Sequence, residues 1–345
     1  MTFEDTIVAI ATPFGEGAIA LLRVSGRQAF ALCQTAFPDC QLASLEPRRQ
    51  NLARFNGSKG ELIDQVLVTT FRGPASYTGE DVLEISCHGG LLVTREIHEY
   101  LIAAGCRAAG PGEFTQRAFL NGKMDLTQAE AVMDLISAQT TLALRAANEQ
   151  LKGGLGDEIM GIRESLLALL AQIEAYIDFP DEDIAPETSS ALQERLKEIE
   201  LQIGRLLSSA DEGRILREGA RIVICGEPNV GKSSLLNLFL GFDRAIVHAE
   251  AGTTRDTLEE VINLEGIPLR LVDTAGLRNA SDVIEKEGID RAEREIEKAD
   301  VILEVVDAHR AAADQRFTVF SPESKDRCLR ILNKTDLGLH PDFAG

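Results

Sequence analysis

The sequence predicts a multidomain protein in which an α+β domain, an α-helical domain and an α/β domain follow one another. Residues 1–119 alternate short β-type runs with glycine-rich turns and helical stretches. Residues 120–217 are dominated by helical periodicity, and residues 218–345 alternate apolar strands with helical segments. We therefore expect domain boundaries near residues 119 and 217.

Composition restricts the class of protein. The 345 residues suffice for two or three domains, and 44% of them are hydrophobic, without an apolar run long enough to span a bilayer. The N-terminus has two early acids and no basic region before its short apolar run, so it does not resemble a secretory signal. Six scattered cysteines without a CxxC pair indicate free thiols, and we expect a cytoplasmic protein with no membrane contact.

The charge balance limits the contacts that the protein can make with nucleic acid. The 35 basic and 55 acidic residues give a net charge of −20. General nucleic-acid binding is unfavourable at this charge, because non-specific binders use Lys and Arg to displace counterions. Any contact with RNA is therefore expected to be local.

The first domain combines strands with helices. The runs TIVAIAT, AIALLRVS, QVLVTTF and DVLEIS have β-type composition, and turns such as GEG, NGSKG and GPASYTG separate them. The stretch LLVTREIHEYLIAAG is helical, and Gly105 closes it. Strands and helices mixed in this way are typical of an α+β domain.

The second domain is predicted to consist of long helices. Thr127 and Glu130 have the spacing of a capping box, and Ser190 and Gln193 repeat it before LKEIELQIGRLL. Between them lies GDEIMGIRESLLALLAQIEAYID, which ends at the proline-containing acidic segment DFPDEDIAPE. These signals predict at least three helices.

The third domain contains the strand-type runs RIVIC, LRLVD, VILEVVD and LRILN, whose spacing predicts a mostly parallel sheet. The pattern Gly226-x4-Gly231-Lys232-Ser233 follows RIVIC and opens a helix, which is the context that a phosphate-binding P-loop requires. Glycines allow backbone N–H groups to surround the phosphates. Lys232 can reach the β and γ oxygens, and the Ser233 hydroxyl can bind Mg²⁺.

Two further motifs stand at strand ends. The segment DTAG, which starts at Asp273, follows LRLVD, and its carboxylate can hold the water shell of Mg²⁺ while its glycine senses the γ-phosphate. The segment NKTD, which starts at Asn333, follows LRILN, and Asp336 can accept two hydrogen bonds from guanine that adenine cannot offer. Each motif alone could be an ordinary turn. Their order and their positions at strand ends predict GTP as the nucleotide.

The motifs GEPNVGKSSLLN, GTTRD, DTAGLR and NKTD resemble those of the translation-factor-like GTPases. Farther upstream, DTIVAIATP, LLRVSG, YTGEDVLE, CHGG and above all PGEFTQRAFLNGKMDLTQAEAVMDLI resemble the MnmE (TrmE) family of tRNA-modification GTPases. The similarity runs from about residue 5 to residue 336 in the order of that family.

The resemblance implies an N-terminal domain that dimerises and binds 5-formyl-tetrahydrofolate or a related one-carbon folate. It also implies a Ras-like G domain inserted into the helical domain. Members of the family act with an FAD-dependent partner, MnmG (GidA), to install an aminomethyl-type group, such as carboxymethylaminomethyl, at C5 of the wobble uridine of certain tRNAs. They hydrolyse GTP with K⁺ in place of an arginine finger, and their G domains pair across the ion.

The same resemblance assigns residues of the nucleotide site. Asn229 matches a K⁺ ligand, and the loop from His248 to Thr254 matches the K⁺-holding segment, in which Glu250 and Thr253 are further ligands. Thr254 matches a Mg²⁺ ligand. Without the family match, Asn229 would be interpreted as a turn former. The residues of the four motifs expected to contact the nucleotide or its ions are Asn229, Val230, Gly231, Lys232, Ser233, Ser234, Thr253, Thr254, Asp273, Thr274, Ala275, Gly276, Asn333, Lys334 and Asp336.

Two assignments have close rivals. Arg255 could act as an arginine finger within its own chain, although the resemblance favours K⁺ and a structural role for this arginine. Glu285 matches the glutamate that positions the attacking water through a second water, but by itself it has the character of a solvated acid, and Glu287 could be confused with it. Catalysis is expected to depend on Glu285, Asn229 and Lys232.

For the folate, Arg23, Glu84 and Lys123 match positions of the family's pocket. Glu84 can bind the amino and ring N–H edge of the pterin, while Arg23 and Lys123 can pair with the glutamate-tail carboxylates or the carbonyl edge. The alternative interpretation of all three is ordinary surface charge.

The sequence departs from the family at its C-terminal end. Family members end in further helices and a Cys-x-Gly-Lys motif, which does not occur here, so we expect a fragment or a truncated product. The leading function is a K⁺-dependent GTPase that drives wobble-uridine modification. The alternative is an assembly switch whose nucleotide state positions a catalytic partner without performing the uridine chemistry. A ribosome-assembly GTPase lacks support, because the sequence contains no second G domain or RNA-binding appendix.

Overall fold

A computed structural model describes residues 5–178, 189–241, 259–273, 294–315 and 321–343. By its internal contacts the chain divides into two compact units, Met1–Val132 and Met133–Gly345, and each is described by itself. None of the described helices combines the length and the apolar character that crossing a membrane requires. All six cysteines carry free thiols.

Where it is described, from residue 5 onwards, the first unit contains six strands, which are β1 (Ile7–Ile10), β2 (Ile19–Ser25), β3 (Asn51–Asn56), β4 (Leu62–Phe71), β5 (Val82–His88) and β6 (Arg107–Ala108). They form one sheet in the order β3-β4-β5-β2-β1-β6. Neighbouring strands are antiparallel, except for the parallel pair β1 and β6. The predicted β-type runs thus form strands of a mixed sheet.

One face of this sheet is covered by α1 (Ala29–Cys33) and α2 (Leu91–Ala103), with 3₁₀ turns at Gln34–Ala36 and Leu42–Ser44, and helix α3 (Glu113–Leu120) follows β6. Alternate strand residues such as Leu22 and Ile85 are buried in one apolar cluster with Ile97 of α2. Successive side chains of a strand point to opposite faces, so the residues next to these core positions lie on the other face. Arg23, next to Leu22, and Glu84, next to Ile85, therefore lie on the face opposite this core.

Four helices follow in the described ranges 126–178 and 189–218, which are α4 (Leu126–Ser137), α5 (Thr141–Leu151), α6 (Gly154–Asp178) and α7 (Ser189–Glu218). The capping box before α4 lies two residues earlier than predicted. The amide N–H of Gln128 donates to Asp125 Oδ1 at 2.8 Å, and the amide N–H of Asp125 donates to Gln128 Oε1 at 2.9 Å. Thr127 is already inside the first turn and donates its hydroxyl to Asp125 at 2.7 Å. The Thr127–Glu130 assignment was therefore wrong, because the aspartate provides the better placed cap.

The second unit also contains five strands in the described residues, which are β7 (Ala220–Cys225), β8 (Glu259–Leu264), β9 (Ile267–Asp273), β10 (Val301–Asp307) and β11 (Cys328–Asn333). The order in the sheet is β11-β10-β7-β9-β8. All neighbours are parallel except β8 and β9. Helix α8 (Lys232–Leu240) follows β7, residues 294–298 are helical, and a short helix spans Pro322–Lys325.

The parallel strands of the second unit determine where a ligand can bind. The carboxyl ends of β7, β9, β10 and β11 lie at one edge of the sheet, since parallel neighbours run in the same direction. In open α/β sheets, ligands bind in the crevice outside the carboxyl ends of the strands. The P-loop and the two other predicted motifs all follow strands at this edge.

Candidate nucleotide site

The loop between β7 and α8 has a backbone suited to phosphate. Gly226, Asn229 and Gly231 have positive φ angles of 136°, 65° and 103°. A Cβ atom on Gly226 would collide with the carbonyl oxygen of Val305, and one on Gly231 would collide with the side-chain amide of Asn333. Only glycine fits both positions, so the loop can approach an anion closely at the N-terminus of α8.

Lys232 places a buried cation beneath this loop. The residue is only 8% exposed, and its Nζ donates to the carbonyl oxygens of Gly226 at 3.1 Å and Glu227 at 2.6 Å. The ammonium group is therefore enclosed by the same loop whose backbone amides are expected to hold phosphate oxygens. The position agrees with the predicted role of Lys232, which stays a prediction.

The other side chains of the loop divide between core and surface. Val230 is 1% exposed and packs in the apolar cluster of the second unit, which anchors the loop. Asn229, Ser233 and Ser234 are exposed. The loop and the first turn of α8 thus present an amide oxygen and two hydroxyl groups to solvent, the kinds of oxygen ligand that K⁺ and Mg²⁺ require.

Backbone register places the other motifs beside the loop. Asp273 pairs with Ile224, one residue before the end of β7. Asp307 at the end of β10 pairs with Asn333 at the end of β11. The first residue of the DTAG segment and the first residue of the NKTD segment therefore lie at the same edge of the sheet as the P-loop.

The guanine motif contacts the P-loop directly. Asn333 Nδ2 donates to the carbonyl oxygen of Val230 at 2.8 Å. Lys334 has a left-handed backbone with φ of 61°, which turns the chain into a 3₁₀ turn, Thr335–Leu337. Asp336 is exposed in this turn. The asparagine therefore ties the motif to the loop, while the aspartate stays accessible to a base.

Asp307 is a residue of this site that the sequence reasoning missed. Only 6% of it is exposed, and its Oδ2 accepts a hydrogen bond from Lys334 Nζ at 2.8 Å. That hydrogen bond lowers the pKa of Asp307 below its ordinary value. The signal was present in the sequence, because VILEVVD ends in an aspartate at the carboxyl end of a parallel strand, as LRLVD does.

Several predicted site residues lie outside the described residues. They are His248, Glu250, Thr253, Thr254, Arg255, Thr274, Ala275, Gly276, Glu285 and Glu287. Their assignments to K⁺, to Mg²⁺, to the nucleotide and to the attacking water stay predictions.

In the first unit, the predicted folate residues Arg23 and Glu84 face each other on neighbouring strands. They are direct partners in the register of β2 and β5, and both Nε and Nη2 of Arg23 donate to Glu84 Oε1, at 2.9 and 2.7 Å. The guanidinium carbon of Arg23 also lies 5.5 Å from the ring centre of Tyr77 and 5.8 Å from that of Phe114. The sequence had suggested separate contacts to the ligand, whereas here the arginine holds the glutamate in place.

Lys123 lies beside the loop that carries Tyr77. Its Nζ donates to the carbonyl oxygen of Pro74 at 3.0 Å, and its side chain is exposed. Asn121 donates to the carbonyl oxygen of Thr78 at 2.7 Å. These contacts fix the end of α3 against the loop, so that a lysine, an aromatic ring and the Arg23–Glu84 pair belong to one region of the first unit.

A buried ion network holds α3 in this position. Arg117 is fully buried and donates to Asp5 Oδ1 at 2.8 Å, to Glu80 Oε2 at 3.2 Å and to Glu113 Oε1 at 3.0 Å. The hydrogen bond from Arg107 is the largest influence on Glu113 and lowers its pKa to about 2. Because the folded-state pKa is depressed, Glu113 stabilises the unit above its unfolded pKa, and this contribution is lost as the pH falls towards 2.

Family models match two parts of the chain. A model described as the GTP-binding protein TrmE N-terminus matches residues 6–123, and one described as the MnmE helical domain matches residues 126–339.

Similar proteins match almost the whole chain, and the following three are each named tRNA modification GTPase MnmE. The protein of Akkermansia muciniphila is 54% identical over 341 residues, which cover 99% of this chain and 75% of that protein. The protein of Alkaliphilus metalliredigens is 45% identical, and the match covers 99% of this chain and 75% of that protein. The protein of Streptococcus thermophilus is 46% identical, and the match covers 96% of this chain and 73% of that protein.

Among solved structures, that of an Aquifex aeolicus Era variant bound to GDP.AlF4- is 30% identical and covers 34% of this chain and 40% of that chain, with a TM-score of 0.23.

Proposed function

The chain belongs to the MnmE family of tRNA modification GTPases and is a GTP hydrolase, and on this premise we propose that its hydrolysis depends on K⁺ and drives the modification of C5 of the wobble uridine in certain tRNAs. The group installed is of the aminomethyl type, and an FAD-dependent MnmG-type protein is the partner.

The observation that carries the proposal is the position of Asn229. It is an exposed side chain in a phosphate loop, and the ammonium group of Lys232 is buried beneath the backbone of that loop. An amide oxygen at this point can bind a monovalent cation next to the phosphates. Such a cation supplies the positive charge that an inserted arginine supplies in other GTPases. Asn229 is therefore assigned to K⁺, together with His248, Glu250 and Thr253.

Mg²⁺ is assigned to oxygen ligands of the same site. Ser233 is the second residue of α8 and is exposed, and Asp273 ends a strand beside the phosphate loop. Thr254 completes the proposed set. Hard oxygen ligands of this kind suit Mg²⁺ when it also binds substrate phosphates.

In the first unit, Arg23, Glu84 and Lys123 are proposed to bind 5-formyl-tetrahydrofolate or a related one-carbon folate. Support comes from the Arg23–Glu84 pair, which presents a half-buried carboxylate close to two aromatic rings. A carboxylate fixed by an arginine can accept paired hydrogen bonds from the amino and ring N–H edge of a pterin. Aromatic side chains beside it offer apolar surface to the ring.

The domain arrangement follows the family. We assign residues 1–119 to a folate-binding and dimerising domain, 120–217 to the helical domain and 218–345 to the G domain. A match to the helical-domain model across residues 126–339 supports insertion of the G domain into the helical domain, because that match encloses the α/β sheet. A homodimer through the N-terminal domain and a cytoplasmic location, where tRNA is modified, complete the proposal.

Reconstitution tests the function as a whole. The protein would be incubated with an MnmG-type partner, unmodified tRNA, GTP, Mg²⁺, K⁺, the folate and an amino donor, and the digested tRNA analysed by mass spectrometry. We expect a C5-modified wobble uridine with GTP and none with a non-hydrolysable analogue. Equal modification with the analogue would show instead that the protein is a nucleotide-gated switch that only positions its partner.

Replacing Glu84 with alanine is expected to weaken folate binding. The substitution removes the paired hydrogen bonds from the pterin to a carboxylate, which should cost about 1.5 to 3 kcal/mol of binding free energy. Calorimetry with 5-formyl-tetrahydrofolate measures the affinity of both proteins. Binding should not depend on whether nucleotide is present, because Glu84 and the P-loop belong to different units.

A matched control for Glu84 is Glu46→Ala, which removes an exposed glutamate of the same unit whose partner, Arg49, is also exposed. The control should bind folate like the original protein. An unchanged affinity in Glu84→Ala would place the folate pocket elsewhere.

A further inference from the structure

Asp307 joins two strands at the nucleotide edge. Its side chain is 8% exposed, and its carboxylate accepts hydrogen bonds from Lys334 Nζ at 2.8 Å and from the backbone N–H of His309 at 3.1 Å. A carboxylate at this depth requires a charged partner, because an unpaired buried charge is strongly unfavourable. Lys334 is that partner.

The side chain of Lys334 is held at both ends, by the backbone at its base and by the ion pair at its ammonium group. The backbone of Lys334 is left-handed at the end of β11, and its ammonium group is bound at the end of β10. The turn that carries Asp336 begins at this residue. The direction in which the lysine leaves the strand therefore affects where the base-recognising carboxylate lies.

A second set of contacts runs from Asp307 to the phosphate loop. The N–H of Asp307 donates to Gln315 Oε1 at 3.0 Å, and Gln315 Nε2 donates to the carbonyl oxygens of Asp307 at 2.8 Å and Arg310 at 3.0 Å. Arg310 Nη1 in turn donates to Glu227 Oε2 at 3.0 Å. Glu227 lies inside the phosphate loop, so the segment after β10 links that loop to Asp307.

The two sets of contacts form a closed ring. Asn333 precedes Lys334 in the chain and donates to the carbonyl oxygen of Val230, three residues after Glu227. Asp307 is the point at which the two arms of the ring meet. The arm through Gln315 uses only the backbone of Asp307, whereas the arm through Lys334 uses its carboxylate, so replacing the side chain should disturb the guanine motif and leave the arm to the phosphate loop in place.

We infer that Asp307 is a positioning residue for guanine-nucleotide binding. It touches neither base nor phosphate and acts through Lys334, which it holds in the orientation that the guanine motif needs. The inference rests on the proposed role of the NKTD segment. Hydrogen bonds to charged groups contribute enough free energy for the loss to raise the Kd for GDP roughly 10- to 100-fold.

The test is a double-mutant cycle read out by calorimetry with GDP on the whole chain. The variants are Asp307→Asn, Lys334→Met and the combination of both. Asparagine keeps the shape and the acceptor for His309 but removes the charge that holds the lysine. Asp314→Asn is the matched control, because it removes an exposed acid from the same segment that forms no ion pair in the described residues.

The expected result has three parts. Asp307→Asn raises the Kd for GDP and the KM for GTP while kcat at saturating GTP stays within about twofold, because positioning of the base is a ground-state effect. The control binds GDP normally. In the Lys334→Met background, Asp307→Asn causes little further loss, since the two residues act as one unit.

Three results would overturn the inference or its premise. Equal losses from Asp307→Asn with and without Lys334 would show that the aspartate does not act through the lysine. A weakening no larger than that of Asp314→Asn would show that the ion pair is irrelevant to binding. If the original protein bound ADP as tightly as GDP, the premise that the NKTD segment recognises guanine would be wrong.

A second variant answers the question if Asp307→Asn does not fold. Asp307→Glu keeps the charge and moves the carboxylate by one methylene group. Because the glutamate can still bind the ammonium group of Lys334, the GDP affinity of this variant should be closer to that of the original protein than to that of Lys334→Met. An affinity as weak as that of Lys334→Met would contradict the inference.

Discussion

Replacing Glu285 with alanine is expected to reduce GTP turnover by at least about 100-fold and to leave GTP affinity nearly unchanged. The proposed role of this glutamate is to orient the attacking water, and such an interaction acts in the transition state. The ground-state nucleotide is held by other groups, among them Lys232, Ser233 and Asp336. Single-turnover hydrolysis and calorimetry with a non-hydrolysable GTP analogue measure the two quantities separately.

Glu287→Ala is the matched control for this prediction. Both glutamates lie in the charged stretch SDVIEKEG, so a general effect of removing negative charge would appear in both variants. A large loss confined to Glu285→Ala supports the water-positioning role. Equal and small losses in the two variants would show that Glu285 is only a solvated acid.

The second large effect is expected at Asn229. Asn229→Ala should abolish the dependence of hydrolysis on K⁺, because it removes an exposed oxygen ligand of the phosphate loop. Nucleotide binding should survive, since the glycine backbone and Lys232 remain. The rates would be measured in K⁺ and in Na⁺ at equal ionic strength, and GDP affinity would be measured by calorimetry.

Arg255→Ala distinguishes K⁺ from an arginine finger. If K⁺ supplies the positive charge, this variant should keep a K⁺-stimulated rate within a few-fold of the original. A fall of about 10³-fold or more would identify Arg255 as a finger within its own chain and would contradict the K⁺ assignment.

The strands of the nucleotide domain could be predicted from the sequence because their signals are local. RIVIC, LRLVD, VILEVVD and LRILN are short apolar runs, and all four form strands of one sheet. The P-loop could be predicted for the same reason. Its glycines are required by positive φ angles and by the close approach of neighbouring atoms, and both requirements appear as a short sequence motif. Resemblance to the MnmE family then predicted the family membership that the relatives confirm.

Contacts between distant parts of the chain could not be predicted in the same way. Arg23 and Glu84 are 61 residues apart, and only the register of β2 and β5 shows that they bind each other. Asp307 and Lys334 are 27 residues apart and meet because β10 and β11 are neighbours. The capping box at Asp125 was missed for a different reason, since the chosen Thr127 had the right spacing but lies inside the helix.

In the proposed reaction, K⁺ takes the place of an arginine in GTP hydrolysis. The most direct test measures the GTP hydrolysis rate of the original protein in K⁺ and in Na⁺ at equal ionic strength and saturating Mg²⁺. A site that includes Asn229 and fits the larger ion predicts a rate at least about tenfold higher in K⁺. Equal rates in the two salts would contradict the claim.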